Sequence, residues 1–78
     1  MPEAELIVSD PAVLGGKPCI RGTRVSVQHV LEFLASGQGR DEFLVAFPHV
    51  GEAGFAAALR YAAATVQREL TWEQKRSA

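Results

Sequence analysis

The period of the apolar positions changes once along the chain, near residue 26. Before that point the apolar residues come in short runs, Leu6-Ile7-Val8, Cys19-Ile20 and Val25-Ser26-Val27, separated by Asp10-Pro11, Gly15-Gly16, Pro18 and Gly22. Short β-prone runs broken by glycine, proline and Asx residues predict extended chain with tight turns. Residues 5–25 are therefore expected to hold a strand at Leu6-Ile7-Val8, a turn at Ser9-Asp10-Pro11, and a hairpin whose tip is Arg21-Gly22-Thr23-Arg24. Beyond residue 26 the spacing is helical.

Three helices are predicted. The first runs from Val27 to Ser36: Val27, Val30, Leu31 and Leu34 share one face, Ser26 is placed to cap the start, and Gly37 to close the end. The second runs from Arg40 to Phe47, with Asp41 and Glu42 in its first turn, Phe43, Leu44 and Phe47 facing inward, and Pro48 as its stop. The third starts near Glu52 and continues to about residue 76. Its expected stripe is Leu59, Ala62, Ala63, Val66 and Leu70, with Phe55 at the N-terminal edge. Tyr61 and Trp72 are expected to point about 200° away from that stripe. Gly54 costs on the order of 1 kcal/mol against alanine inside a helix, which predicts a frayable start. From Glu52 to Trp72 the helix would extend roughly 31 Å, past a three-helix core.

The chain of 78 residues carries no internal repeat or linker and reads as a single domain 1–78, with a strand and basic hairpin over 5–25, a helical core over 26–66 and a helical tail over 67–78. Charge is distributed in blocks: −3 over residues 1–10, +3 over 17–24, −3 over 25–58 and +2 over 59–78, for a net −1. The hydrophobic content of 47% excludes a chain disordered throughout. No apolar run approaches the roughly 18–20 residues that span a bilayer, and Met1-Pro2-Glu3-Ala4-Glu5 lacks the basic-then-apolar order of a signal peptide. The single Cys19 cannot form an internal disulfide. A cytoplasmic protein without a membrane partner is expected.

The candidate chemistry lies in the hairpin. Lys17, Arg21 and Arg24 fall within eight residues that contain no acid, and can present charge to nucleic acid or to an acidic protein face. Alternatively the two arginines pair with Asp10, Glu32 or Asp41 and hold the hairpin on the helices. The four-residue connection Pro48-His49-Val50-Gly51 suits a helix-turn-helix made by the second and third helices, and suits a plain three-helix bundle equally well. The segment Gly51–Ala57 offers no Arg, Lys, Asn or Gln to base edges, so DNA contact would fall to Lys17, Arg21, Thr23 and Arg24, with Arg60 in support. Enzymatic signals are missing. His29 and His49 are far apart and read as a boundary residue and a turn residue, and Cys19 as a packed thiol. Gly15-Gly16-Lys17-Pro18 lacks the spacing of a phosphate loop. No metal, cofactor or catalytic residue is expected.

The run Gly15-Gly16-Lys17-Pro18, Ile20-Arg21-Gly22-Thr23-Arg24-Val25, followed by Phe47-Pro48-His49-Val50 and Ala58-Leu59-Arg60-Tyr61-Ala62-Ala63, resembles the domain of unknown function 433 family over residues 5–65. That resemblance implies a homeodomain-like helix-turn-helix fold. It also implies an antitoxin role beside a PIN-like ribonuclease toxin in a prokaryote. Under that reading the chain binds and inhibits the nuclease and binds operator DNA; the other reading is a protein-interaction or adaptor module without DNA binding. Tyr61, Arg68, Glu69, Trp72 and Glu73 are the residues expected at the toxin or subunit interface. A homodimer or higher assembly is expected, with Leu6-Ile7-Val8 pairing across subunits or with a partner's hairpin.

Overall fold

A computed structural model describes the backbone of residues 6–77 and the side chains of residues 6–69. Two short strands, β1 (Ile7–Val8) and β2 (Cys19–Ile20), precede three helices, α1 (Val27–Ala35), α2 (Arg40–Ala46) and α3 (Gly51–Ser77). The molecule is mainly helical, with a small antiparallel sheet at its N-terminal end.

β1 pairs with β2 in register Ile7↔Ile20 and Val8↔Cys19. The strand expected to seek a partner in another subunit is thus paired within its own chain. The other edge of β2 takes the returning segment: Ile20 N–H donates to the Val25 carbonyl (3.0 Å) and Val27 N–H to the Pro18 carbonyl (2.9 Å). Between the two lies a β-turn closed by Thr23 N–H on the Ile20 carbonyl (3.0 Å), with Gly22 at φ +79°. A positive φ at the third position of such a turn suits glycine, which has no Cβ to clash. The Thr23 hydroxyl then locks the turn, donating to the Ile20 carbonyl (2.8 Å) and accepting from Val25 N–H (3.0 Å).

The helix ends follow their local chemistry. Ser26, buried, accepts the His29 N–H (2.9 Å) and starts α1; Gly37, at φ +98°, follows its last turn. The N-terminus of α2 is closed by the Glu42 carboxylate, which accepts the Gly39 N–H (3.0 Å). α2 ends at Ala46, one residue before the expected Phe47, which serves as its C-cap.

The core is built from Ile20, Val25, Val27, Val30, Phe43, Val50, Phe55 and Ala58, with Phe33, Leu34, Leu44, Phe47, Leu59 and Ala62 packed around it. α3 touches α1, α2, β1 and β2, so it is the element on which the rest assembles. Two expected faces shift. In α1 the apolar arc includes both Leu31 and Phe33, and the core takes the Phe33 side, where its ring meets Phe43 edge-on at 5.2 Å; Leu31 is left 41% exposed. In α3 the buried face is Gly54, Phe55, Ala57 and Ala58, flanked by Leu59 and Ala62, while Ala63 and Val66 are exposed. The face is rotated by roughly a quarter turn from the expected stripe. Its small residues allow a closer approach than its large ones. A Cβ placed on Gly54 would lie 3.0 Å from Ile20 Cγ2 and 3.0 Å from Val50 Cγ1, so this glycine is where α3 meets the hairpin. The start of α3 is therefore its most deeply packed part, contrary to the frayable start that Gly54 suggested. Leu70 lies outside the described side chains.

Candidate nucleic-acid and partner interface

Folding the hairpin over the start of α1 gathers charged side chains from four segments. One surface cleft, of about 590 Å³, is lined by Val8, Asp10, Val13, Cys19, Gly22, Thr23, Arg24 and His49. A second is lined by Leu14, Lys17, Arg24, Ser26, Gln28, His29 and Glu32. Arg24 borders both. Of the residues expected to meet DNA, the structure brings Lys17, Thr23 and Arg24 together here. Lys17 is exposed, and its ammonium donates to Gln28 Oε1 (3.2 Å). Thr23 is half-buried with its hydroxyl engaged in the turn, so it acts as a brace for Arg24. Arg21 is exposed at the tip, and its backbone N–H donates to the Leu6 carbonyl (2.7 Å), tying the tip to β1. Arg60 is exposed on α3 and lines neither cleft.

The two histidines stand twenty residues apart in the sequence, and the fold joins them through Phe47. Phe47 stands between them: its ring meets His29 edge-on at 5.2 Å and His49 at 6.4 Å, and both imidazoles are exposed. His49 is near Phe47 along the chain, but nothing in the spacing links either to His29. Only the docking of α1 against the α2–α3 turn does so. Asp10 is held in its turn by the Ala12 N–H (2.9 Å). Ion pairs from Arg40 to Asp41 and to Glu52 engage both carboxylates and join α2 to the start of α3. Asp41, one of the acids the sequence offers to the hairpin arginines, is paired with Arg40. Cys19 is buried at 2% exposure, its thiol donating to the Lys17 carbonyl (3.2 Å). Among the described residues no group of three His, Cys, Asp or Glu could hold a metal, and no helix is long and apolar enough to cross a membrane.

The other candidate surface is the far end of α3. Ala62 is the last of the described α3 side chains packed against the core, and the helix continues to Ser77, about 22 Å more. Between residues 63 and 69 Thr65 is half-buried and the others are exposed. Val66 is 54% exposed, and Arg68 and Glu69 are exposed. Tyr61 is 37% exposed; with the buried face rotated, it sits at the edge of the packed surface instead of opposite it. Trp72 and Glu73 lie outside the described side chains.

A basic hairpin laid on three helices, with α2 and α3 joined by residues 47–50, defines a small helix-turn-helix type of domain. Residues 7–62 match a family described as "Protein of unknown function (DUF433)", and the chain belongs to that family. The match ends at Ala62, the last of the described α3 side chains packed against the core. The chain is also similar to the uncharacterized protein y4eO of Sinorhizobium fredii, 38% identical over 64 residues, which cover 82% of this chain and 29% of that protein. The chain thus spans under a third of the length of that relative. No solved structure matches the chain.

Proposed function

We propose that this chain is the antitoxin-like component of a prokaryotic type II toxin–antitoxin pair, without catalytic activity of its own, acting in the cytoplasm. It binds and inhibits a PIN-like ribonuclease through the free end of α3 and meets operator DNA through the hairpin cations. One observation supports the protein-binding half: between residues 63 and 69 the side chains of α3 are exposed apart from half-buried Thr65, the helix continues to Ser77, and the family match stops at Ala62. A helix of that length with exposed Tyr61, Val66 and Arg68 has more surface than its own domain covers, and aromatic and arginine side chains are the types that anchor interfaces. Glu69 and Glu73 of the same segment would meet the basic groove in which such a nuclease holds RNA phosphates.

The test is a truncation after Val66, co-expressed with the PIN-like nuclease encoded beside the gene. The shortened chain is expected to stay folded by circular dichroism and to lose capture and inhibition of the nuclease. Undiminished capture by the truncated chain would move the contact to the hairpin or the first two helices. A second copy of the chain would pair through the same tail, and sedimentation of the two forms at tens of micromolar reads that directly.

A second reading keeps the partner and drops the DNA. It is favoured by the solvent side of the α3 start, where Glu52 is tied to Arg40 and Ala53 offers no base contact. Steep salt dependence of binding to a duplex from the chain's own promoter separates the two, because each neutralised phosphate releases counterions.

A further inference from the structure

We infer that the loop carrying Leu14 is a docking face for the outer side of α2 in a second copy of this chain. The inference goes beyond the proposed function: both surfaces lie within residues 7–62, and neither uses the tail of α3. Among the described residues Leu14 is the one residue other than glycine at positive φ, +49°, and it opens a run with Gly15 at +66° and Gly16 at +89°. In that region the Cβ of an L-residue crowds the following carbonyl oxygen, and glycine or asparagine sits there with less strain. Hydrogen-bonded turns impose the conformation. Val13 N–H donates to the Asp10 carbonyl (2.8 Å), Gly16 N–H to the Val13 carbonyl (3.0 Å) and Lys17 N–H to the Leu14 carbonyl (3.3 Å). The strain does not serve the core, since Leu14 stands outside the apolar cluster and is 42% exposed. Strained residues gather where a ligand or partner is held, and here the strain presents an aliphatic side chain to solvent.

The charges beside each surface say what covers it. Leu14 lines a cleft with Lys17, Arg24 and Glu32, two cations against one carboxylate. On α2, Val45 is 81% exposed, the most exposed large apolar side chain among the described residues. Asp41 and Glu42 precede it by four and three residues, which places them on the same side of the helix. With Glu52 they make three carboxylates against Arg40 alone, and the Asp41 side chain is 93% exposed. Each surface thus holds one uncovered aliphatic side chain, and the charges around the two are opposite. Seating Leu14 beside Val45 covers both and brings Lys17 and Arg24 to the carboxylates of α2. Opposite charges around a shared apolar contact fix the partner and the register. Lys17 and Arg24 serve one partner at a time, so a second copy and a duplex exclude each other on this face.

The test is sedimentation velocity of the full chain, its Leu14→Asn variant, its Val45→Gln variant and an equimolar mixture of the two variants. The range is about 10 μM to about 1 mM, where contacts of small area associate. Asparagine tolerates the left-handed backbone and glutamine suits an exposed helix position, so both variants are expected to fold, which urea denaturation followed by circular dichroism checks. The wild type is expected to associate with rising concentration. Each variant alone is expected to associate about tenfold more weakly, the loss of one interface anchor. The mixture is expected to associate more strongly than either variant, because the intact Leu14 of one meets the intact Val45 of the other. All four samples carry the same α3 tail, so pairing through the tail contributes equally to each, and the truncation after Val66 tests it separately. Concentration-independent sedimentation of the wild type overturns the inference, as do variants that associate like the wild type or a mixture no stronger than its components. Loss of nuclease capture by Leu14→Asn, with self-association unchanged, overturns the second copy as occupant and gives the loop to the nuclease.

Discussion

Replacing Gly54 by alanine sets two effects of similar size against each other, and the structure says which prevails. In an open helix the change stabilises by up to about 1 kcal/mol, because glycine has more backbone freedom to lose. At this site the new Cβ would lie 3.0 Å from each of two methyl carbons, Ile20 Cγ2 and Val50 Cγ1. Both belong to β-branched side chains with little rotamer freedom, and both are buried, at 3% and 8% exposure. Relief requires both moving α3 away from Ile20 of the hairpin and displacing the Val50 side chain just before α3, and such overpacking costs about 1–3 kcal/mol. Gly54→Ala is therefore expected to lower stability by about 1 kcal/mol net, equivalent to roughly 4–8 °C in Tm for a domain of this size. Urea denaturation followed by circular dichroism measures it. Ala64→Gly, on an exposed position of the same helix, supplies the propensity term alone and should also cost about 1 kcal/mol. Ile20→Leu moves the branch from Cβ to Cγ and should relieve the alanine, so a double-mutant cycle should show coupling above about 0.5 kcal/mol. A Gly54→Ala protein more stable than the parent by the full propensity gain, with no coupling to Ile20, would refute the close contact between α3 and β2.

Other expectations follow from single contacts. Ser26→Ala removes the acceptor of the His29 N–H and should cost about 1 kcal/mol in the same denaturation assay. Phe43→Ala empties the centre of the aromatic cluster, where the ring is 0% exposed, and should cost about 3–5 kcal/mol, enough to leave so small a domain largely unfolded by circular dichroism. Arg40→Ala breaks two exposed ion pairs and should change stability by less than about 1 kcal/mol. The Cys19 thiol, in a residue 2% exposed, should react far more slowly with a thiol-specific reagent under native conditions than in denaturant.

Local chemistry, and with it the order of elements, was legible in the residues. The Ser26 cap, the turn at Gly22, the stop before Pro48 and the length of α3 each depend on residues near one another in the chain, and each stands about where the sequence placed it. The resemblance carried by the Gly-Lys-Pro, Arg-Gly-Thr-Arg and Pro-His segments also held, as the family match over residues 7–62 shows. What tertiary packing alone decided is which side of each element is covered. Periodicity weighs a helix face by its largest apolar residues, whereas packing also weighs how closely two backbones can approach. So α3 turned its small residues Gly54, Ala57 and Ala58 inward and left Val66 outside, and α1 followed the phenylalanines and left Leu31 at the surface. The same holds for the strand: Leu6-Ile7-Val8 had no visible partner in the sequence, and found one in β2 only because the loop between them turns the chain back on itself. The pair of clefts around Arg24 belongs to the same class of fact. Lys17 and Arg24 are near neighbours in the sequence, but His29 and His49 join them through the docking of α1 on Phe47, a contact between distant segments that no local spacing encodes.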